Sequence, residues 1–596
     1  MKLKEYKKNL KNEYQETFQQ KGIQPKKQFQ FKIRYAFALA FLLLFAVLIG
    51  QHIYVICYNA EVDRFNASLR TEVVNYDTSE GLTSIHSKKE YEAIVTKYTN
   101  QRVYRSKQKS ILSNLFSFQP IGCTANKGED LGLMVPDTSA PSTAPSDETN
   151  SNQNNSFNTN VQVMGLDEAD VAKCDGRYIY YLVYNALYIY DIETQTPVLN
   201  HQDSGNELYI YQNRIISIGY SSTSVYEFEN NKLVLQYQFE YDMRLDSRLV
   251  GENLYLVKGF KVEESNIIYN DCYYDNCSQP RYLYSLVRLN LNTFVKKEIQ
   301  LLSQSSSILY ASDNHFYIAA QESHYTVISI FTFDLEPVGS VRVCGKVLNQ
   351  FSMDEYNNTF RVVTTDTFRK DNELNAITIF DITRNFERVG YLDQGIGLDR
   401  QIVKSVRYDK NTCYVVTYQN TDPLYEIDCS DPTNPVIVSA YKAPGYSNYL
   451  HTFVVNEKEY VLGLGFTDSL VNPKISVYEN TTDKTTQIGK DFILVKGLPM
   501  LEGDYVNQRL HSYMFSNHKA LFFYEKEGKL YLGAMVADDA YLIFEIDVNN
   551  QEQVVSIYKE IELDRSNRSD ARAFLVKDTL YVTNNDAIKV VDFFEN

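Results

Sequence analysis

Four carboxylates crowd into one short stretch of the chain, together with a lysine. They are Asp167, Glu168, Asp170 and Asp175, with Lys173 among them. Carboxylate oxygens at this density are suitable ligands for a hard cation such as Ca²⁺. The stretch lacks the alternating acidic residues, glycine and terminal Glu of an EF-hand loop. Two other interpretations therefore stay open: a solvated turn between two strands, and a salt bridge from Lys173 to a neighbouring carboxylate.

A second candidate site is rich in tyrosine. Tyr446, Tyr449 and His451 lie within six residues, in the run Tyr-Ser-Asn-Tyr-Leu-His. Aromatic rings can line a sugar or peptide cleft, and a histidine can donate a proton near neutral pH. These residues are predicted to bind a ligand, and the alternative is a packed loop with a hydrogen-bonded histidine. No His-Glu-x-x-His, Gly-x-Ser-x-Gly, Cys-x-x-Cys or phosphate-binding glycine motif occurs, so no catalytic residue can be named.

The chain has eight cysteines, and one close pair stands out. Cys272 and Cys277 flank the short run Tyr-Tyr-Asp-Asn, so a local disulfide is possible between them. Cys57 lies in an apolar segment, and the seven remaining cysteines cannot all pair within one chain. Some of them are therefore expected to be free thiols.

Charge is divided sharply along the chain. Residues 1–34 contain ten Lys and Arg against three Glu, whereas the whole chain has a net charge of −16. From Tyr35 to Ala60 no residue is charged, and about 20 apolar residues are enough to cross a bilayer. The positive-inside rule predicts a single-pass cell-membrane protein with a cytoplasmic N-terminus and an extracellular body. A cleaved signal peptide is the alternative, although its apolar core is usually shorter. The acidic body argues against nucleic acid as a partner.

The region after this segment contains a predicted helix and then a polar stretch. Ser87-Lys88-Lys89-Glu90 has the spacing of a helix capping box. Residues 136–160 are rich in Ser, Thr, Asn and Pro and cannot bury enough apolar surface to become ordered. The chain is therefore predicted to have five parts: a basic cytoplasmic tail (1–34), a transmembrane helix (35–57), a partly helical stalk (58–122), a flexible polar linker (123–159) and a β-rich body (160–596).

The body repeats one pattern of short, aromatic strands separated by Asn, Asp and Gly turns. One unit pairs Tyr178–Val183 with Leu187–Ile192, and the last pairs Leu580–Val582 with Ile588–Phe593. The spacing of about 40–55 residues is the period of a four-stranded propeller blade. The sequence thus predicts an all-β propeller with eight or nine blades. A β-sandwich, or two smaller β-domains, is the alternative.

The two ends of the body suggest how the ring closes. The last unit has only three strands, and Val161–Leu166 is a strand without a partner at the other end. Pairing Val161–Leu166 with Ile588–Phe593 would remove an exposed edge and close the ring. We therefore expect both ends of the body to lie in one sheet.

Several long runs resemble an uncharacterised prokaryotic family of secreted or membrane-anchored β-propeller proteins, distantly related to WD repeats. The runs are NVQVMGLDEADVAKCDGRYIY, LNQFSMDEYNNTFRVVTT, DPLYEIDCSDPTNPVIVSAYKAPGYSNYLH and HKALFF. The resemblance covers roughly residues 157–596 and implies a propeller outside the membrane, without an established activity. The chain has no Trp, so a WD dipeptide is not the link, and Cys174 replaces a small residue of the motif.

Rigid propellers with many loops are well suited to recognition. The sequence favours a binding or scaffold module for an extracellular protein, peptide or polysaccharide at the cell surface. The alternatives are an extracellular hydrolase or lyase with carboxylates in the central funnel, and a structural envelope protein. No cofactor is predicted apart from the possible Ca²⁺ at the acidic stretch.

Overall fold

The computed structural model describes mainly residues 81–105, 158–494 and 517–594, with short gaps, and only a few residues before position 58. The chain divides into two compact units, residues 1–74 with 99–130 and residues 75–98 with 131–596. The described residues of the first unit are helical. No helix within the described ranges is long and apolar enough to cross a bilayer. The predicted tail and linker, and nearly all of the predicted span at 35–57, lie outside the described residues.

The second unit contains nine successive sheets in its described part, here called blades 1 to 9, and all their pairings are antiparallel except that of one short added strand in blade 3. The elements before them are β1 (Thr83–Ile85), α1 (Lys88–Arg105) and β2 (Leu166–Asp167). Blades 1 to 3 contain, in order, β3 (Ala172–Cys174), β4 (Tyr178–Val183), β5 (Ala186–Asp191) and β6 (Thr196–Gln202); β7 (Glu207–Tyr211), β8 (Arg214–Ile218), β9 (Ser222–Glu229) and β10 (Lys232–Glu240); and β11 (Arg244–Val250), β12 (Asn253–Lys261), β13 (Cys272–Tyr274), β14 (Tyr282–Asn290) and β15 (Lys296–Ser303).

Blades 4 to 6 have the same layout. They contain β16 (Ser307–Ala311), β17 (His315–Glu322), β18 (Tyr325–Thr332) and β19 (Pro337–Cys344); β20 (Lys346–Val347), β21 (Met353–Tyr356), β22 (Thr359–Thr365), β23 (Asn375–Asp381) and β24 (Glu387–Leu392); and β25 (Ile402–Asp409), β26 (Thr412–Tyr418), β27 (Asp422–Asp428) and β28 (Val436–Ala443). In blade 5 the first strand is split into β20 and β21, which both pair with β22.

Blades 7 to 9 complete the series. They contain β29 (Tyr446–Val455), β30 (Lys458–Phe466), β31 (Pro473–Thr481) and β32 (Lys484–Ile493); β33 (Phe522–Lys526), β34 (Lys529–Ala537), β35 (Ala540–Ile546) and β36 (Val555–Glu562); and β37 (Ala573–Val576), β38 (Thr579–Asn584) and β39 (Ala587–Asp592). Short 3-10 turns lie at Gln350–Ser352, Ile382–Arg384 and His518–Ala520.

The strands follow one another as meanders, with the first strand of each blade at the inner edge of the ring. Aromatic and β-branched residues make up most of these strands, because such side chains pack well on a pleated surface. In seven blades the ladder between the third and fourth strands contains a register shift of the kind a β-bulge makes. A bulge increases strand twist, so the outer strand turns away from the sheet plane as a propeller blade requires.

Apolar clusters fill all nine interfaces between neighbouring blades, including the interface between blade 9 and blade 1. At that last interface Phe574 and Tyr581 pack against Ile179 and Tyr190. The rings of Tyr190 and Tyr581 lie 6.3 Å apart between centroids. The described blades therefore form a closed ring of nine. Eight are built on four strand positions, with β13 added in blade 3 and the first strand split in blade 5, and blade 9 has three strands.

The predicted pairing of Val161–Leu166 with Ile588–Phe593 is wrong. Leu166 and Asp167 instead form β2, which runs antiparallel to β11 in blade 3. Blade 9 keeps three strands in the described part of the chain, with β39 as its outer edge. Both faces of every blade are apolar, so packing of sheet faces closes the ring without a shared sheet.

Part of the predicted stalk is described, and it lies against the propeller. Residues 81–98, here called the strap, dock on the outer edge of blade 3, where β1 pairs with β13 and β13 pairs with β15. The predicted capping box is confirmed, because the Glu90 N–H donates to Ser87 Oγ at 3.2 Å and Glu90 Oε2 accepts from the His86 N–H at 2.9 Å. Ile85 and Tyr91 are fully buried against this edge. The helix up to residue 98 therefore belongs to the propeller unit, and residues 99–105 belong to the first unit.

Candidate functional site

The stretch with the four carboxylates lies inside the ring. Residues 158–171, here called the axial segment, contact the inner edges of several blades. Asn160 donates from Nδ2 to the carbonyl of His518 at 3.1 Å, beside blade 8. Gln162 donates from Nε2 to the carbonyl of Gln350 at 3.1 Å, in blade 5. Together with the β2–β11 pairing, these bonds carry the segment across the centre of the propeller.

Glu168 is the most connected residue of the axial segment. Its carboxylate accepts from His518 Nε2 at 2.8 Å and from Gln350 Nε2 at 3.2 Å, and Arg248 Nη2 lies 3.8 Å away. Burial would raise the pKa of Glu168, but the charges of Arg248 and His518 outweigh burial and hold that pKa well below its usual range. An ionised carboxylate therefore links blades 3, 5 and 8 at the axis.

A second ionic group ties blades 2, 3 and 8 together. Glu207, at the start of β7, accepts from Arg244 and from Lys519 Nζ, the latter at 2.5 Å. Lys519 also donates to the carbonyl of Ala169 in the axial segment at 2.6 Å. Burial opposes ionisation of Glu207, but Lys519 and Arg244 lower its pKa to about 2. The segment is thus held by its backbone as well as by its side chains.

Asp170 joins the two ends of the ring. Both side chains of the Asp170–Arg572 pair are 3 % exposed. Arg572 donates from Nε to both carboxylate oxygens at 3.0 and 2.8 Å and from Nη2 to Oδ1 at 2.8 Å. The backbone of Asp170 exchanges two hydrogen bonds with Leu208 of blade 2, at 3.2 and 2.7 Å. This residue therefore connects blade 9, which ends the chain, to the segment that precedes blade 1.

The other two acidic residues have separate roles. Asp167 accepts from Lys173 Nζ at 2.5 Å, so the predicted salt bridge is present, and burial raises the pKa of Asp167. Asp175 caps a turn by accepting from the N–H groups of Arg177 and Tyr178 at 2.8 and 2.7 Å. Among the described residues, no group of three or more His, Cys, Asp or Glu side chains is placed to hold a metal ion. The Ca²⁺ site stays a prediction, and the geometry gives these carboxylates protein partners instead.

The predicted tyrosine-rich ligand site is not one surface. Tyr446, Tyr449 and His451 lie in strand β29 and not in a loop. Tyr449 is fully buried and His451 is 5 % exposed, and the Tyr449 hydroxyl is 3.0 Å from His451 Nδ1. Burial and the charge of Arg407 hold the pKa of His451 well below its usual range, so the ring is neutral at physiological pH. Only Tyr446 is partly exposed, where it packs against Tyr418 with 4.6 Å between ring centroids.

The thiols of the described cysteines are mostly inert. Cys272 is a buried free cysteine beneath the strap, and burial raises its pKa to about 12. Cys277 lies outside the described residues, but Cys272 carries a free thiol, so the predicted disulfide between Cys272 and Cys277 is not formed in this structure. Cys413 and Cys429 are also buried free cysteines, whereas Cys344 is exposed.

The two ends of the strands carry very different connections. At one end the first strand turns to the second and the third to the fourth, and the longest connections there are 429–435 and 547–554. The opposite end, here called the long-loop face, joins second to third strands and one blade to the next. Its longest connections are 262–281, 366–374, 393–401, 494–521 and 563–572. The connections that leave this end of the strands are therefore longer in sequence than those that leave the other end.

A cavity of about 180 Å³ opens on the long-loop face between blades 4, 5 and 6. Its wall combines polar and apolar side chains, including Gln321, Lys346, Asp366 and Ile402. Gly345 forms part of the wall with φ of +87°, and a Cβ there would lie 2.6 Å from the carbonyl carbon of Thr365. The cavity is large enough for one side chain of a partner and too small for most cofactors.

The fold and its axial site define a β-propeller whose centre is filled by a segment of its own chain. The sequence matches the family described as the beta propeller domain over residues 157–595, and the chain belongs to this family. The resemblance inferred from the sequence is therefore confirmed.

The chain is similar to two uncharacterised archaeal proteins. It is 29 % identical over 384 residues to one from Archaeoglobus fulgidus, covering 64 % of this chain and 55 % of that protein. It is 27 % identical over 399 residues to one from Methanocaldococcus jannaschii, covering 49 % of this chain and 63 % of that protein. The chain thus spans less than two thirds of either relative. Apo AztD from Citrobacter koseri is a structural neighbour with a TM-score of 0.32 and 12 % identity, covering 67 % of this chain and 94 % of AztD.

The sequence analysis did not identify the residues that bind the carboxylates and the backbone of the axial segment. His518, Lys519 and Arg572 lie about 350 to 400 residues after the carboxylates they bind. None of them belongs to a local motif with chemical meaning. The only available signal was the run HKALFF, which carried part of the family resemblance and begins at His518.

Proposed function

We propose that this protein is a cell-surface binding or scaffold module, anchored through residues 35–57, that recognises an extracellular protein, peptide or polysaccharide. The single observation that carries the proposal is the asymmetry of the connections, which are long on one face and short on the other. Loops on a rigid scaffold are where recognition residues concentrate. The axial ion pairs and hydrogen bonds supply that rigidity, because they connect the inner edges of blades 2, 3, 5, 8 and 9 to one segment.

The cavity on the long-loop face is the best starting point for recognition. Ile402 is 36 % exposed at its rim, close to the polar side chains of Lys346 and Asp366. An apolar contact surrounded by polar groups is the usual composition of an interface core and its rim. We place the centre of the binding surface there.

A hydrolase or lyase that uses axial carboxylates is the weaker alternative. A general acid needs a carboxyl pKa raised toward neutrality. Glu168 and Glu207 have lowered pKa values instead, because Arg248 and His518 lie beside the first and Lys519 and Arg244 beside the second. Asp167 has a pKa raised by burial, but its carboxylate is bound by the Lys173 ammonium. These carboxylates serve as structural anions, so binding is the better account of the site.

The test compares two apolar-to-acidic substitutions on opposite faces. Ile402→Asp changes the cavity, whereas Val295→Asp changes an exposed turn on the short-connection face, where Val295 is 67 % exposed. The full-length protein is placed in fluorescent lipid nanodiscs and titrated onto source cells that lack their own copy. We expect Ile402→Asp to weaken cell binding about tenfold, a loss of about 1.4 kcal/mol, and Val295→Asp to have no effect.

Two outcomes would contradict the proposal. Equal binding by both variants would mean that the long-loop cavity is not the recognition surface. Release of soluble fragments from cell-wall polysaccharide or peptide by the purified wild-type protein would favour the enzyme alternative.

A further inference from the structure

Arg407 carries a buried positive charge between blades 6 and 7. It lies in β25, the inner strand of blade 6, and the residue is only 3 % exposed. Its guanidinium donates from Nη2 to Thr452 Oγ1 in blade 7 at 3.5 Å, which is long for such a bond. Its Nε is buried and has no acceptor, and no ion pair joins Arg407 to a carboxylate in the described part of the chain. A charge buried in this way is strongly unfavourable unless an anion compensates it.

The two carboxylates near Arg407 do not supply that anion. Asp354 of blade 5 already binds Arg361, which donates to it from Nε at 3.0 Å and also from Nη2. Asp409 lies two residues after Arg407 on β25, and among the described residues it forms no ion pair with Arg407. Burial lowers the pKa of Arg407, as expected for a poorly compensated cation, but a guanidinium keeps its proton at neutral pH. The charge therefore stays in the interface.

The other titratable groups near Arg407 are neutral. Burial raises the pKa of Tyr414 and of Tyr449, so both phenols keep their protons. Burial, together with the charge of Arg407, holds the pKa of His451 well below its usual range. All three side chains lie in strands of blades 6 and 7 and are buried. The described residues thus surround a fixed cation with neutral groups and do not supply its counter-charge.

The packing around Arg407 limits the size of a counter-ion. Tyr449 is fully buried and His451 is 5 % exposed, so these side chains and Arg407 leave the interface closed to the main chain of a peptide and to a sugar ring. An aspartate or glutamate from another segment would have to bring its backbone into the interface, whereas a free ion of one or a few atoms does not. The Thr452 hydroxyl accepts from Arg407 and keeps its own proton, so it can donate to such an ion.

We propose that Arg407 and Thr452 bind a small inorganic anion, of the size of chloride, between the inner strands of blades 6 and 7. Arg407 supplies the charge and the Nε–H, and Thr452 supplies a hydroxyl donor. The ion neutralises the interface, so it stabilises the propeller more as its concentration rises. Arg407 lies further along β25 than the cavity residues Ile402 and Val403, and this proposal does not rest on the proposed function.

The test is thermal unfolding of the full-length protein in sodium chloride and in sodium gluconate, each at about 150 mM. Gluconate keeps the ionic strength constant but is too large to enter the interface. Arg407→Met removes the buried cation and keeps an unbranched side chain, whereas the control Arg384→Met removes a cation whose side chain is 65 % exposed. Relative to gluconate, chloride should raise the melting temperature of wild type and of Arg384→Met by about 2–4 °C and should leave that of Arg407→Met unchanged.

Chlorine NMR on wild type gives a second measurement that needs no variant. Exchange between bound and free chloride broadens the signal, and the broadening should saturate as chloride is raised and decrease when bromide competes. An equal effect of chloride on Arg407→Met and wild type would overturn the proposal and would mean that water alone solvates Arg407. The absence of saturable broadening with wild type would overturn it as well, even if Arg407→Met does not fold.

Discussion

The ion pair that joins the two ends of the ring can be broken with almost no change of shape. Asp170→Asn keeps the size of the side chain but leaves the guanidinium of Arg572 without a counter-charge. The side chains of Asp170 and Arg572 are each 3 % exposed, and three hydrogen bonds join them. Removing one partner of a buried pair typically costs about 3–5 kcal/mol. The amide oxygen of Asn can still accept one bond, so we expect about 3 kcal/mol.

The assay is urea unfolding of the purified protein, followed by far-UV circular dichroism. Asp431→Asn is the matched control, because Asp431 is an exposed turn residue whose carboxylate accepts from the N–H and the hydroxyl of Thr433. It should leave the midpoint nearly unchanged. Adding Arg572→Met to Asp170→Asn should recover part of the lost stability, since no buried charge then stays unpaired. If Asp170→Asn unfolds at the same urea concentration as Asp431→Asn, the buried pair does not secure the ring.

Three further predictions test other parts of the structure. Because the pKa of Glu207 is lowered, its carboxylate stabilises the fold above the unfolded pKa of about 4.3, and this stabilisation is lost as the pH falls through about 2. The urea midpoints of wild type and Glu207→Gln should therefore approach each other between these two pH values. Gly345→Ala should lose about 1–3 kcal/mol in thermal unfolding, because φ is +87° and the Cβ would clash, whereas Gly339→Ala, with open space around it, should not. Tyr91→Ala should loosen the strap and speed alkylation of Cys272, measured by peptide mass spectrometry, while the buried Cys413 reacts no faster.

The repeat of aromatic strands predicted the blades well, because each strand depends on its own alternation of side chains and on the turn residues beside it. The pairs at Tyr178–Val183 and Leu580–Val582 were found in this way, and so was the capping box at Ser87. These features are local, and a single sequence is enough to recognise them.

Ring closure and the axial site were not local, and the sequence could not specify them. Val161–Leu166 was assigned to the last sheet because both edges lacked partners, but a strand pattern does not say which edge a strand will join. The apolar faces of blades 9 and 1 made the pairing unnecessary. The sequence around Asp170 does not indicate that Arg572 is its partner, because the two residues meet only when the whole ring of blades has formed.

The strap shows the same limit. Its helix was predicted from the capping box, but its docking on β13 depends on an insertion between β12 and β14 that is far away in sequence. A fragment that begins at residue 157 would lack Ile85 and Tyr91 and would expose the apolar edge of blade 3. Fragments for binding studies should therefore begin before the strap.

Closure of the ring between blades 9 and 1 is the central claim, and cross-linking tests it most directly. The Tyr184 hydroxyl lies 3.4 Å from Asn585 Oδ1, where connections of these two blades meet. Treatment of Tyr184→Cys/Asn585→Cys with a short bismaleimide should give the linked pair of peptides from monomeric protein, identified by mass spectrometry. Tyr220→Cys/Asn585→Cys, with Tyr220 of blade 2, which is more exposed than Tyr184, should give none. Absence of the first link, or equal yield of the second, would contradict the closed ring.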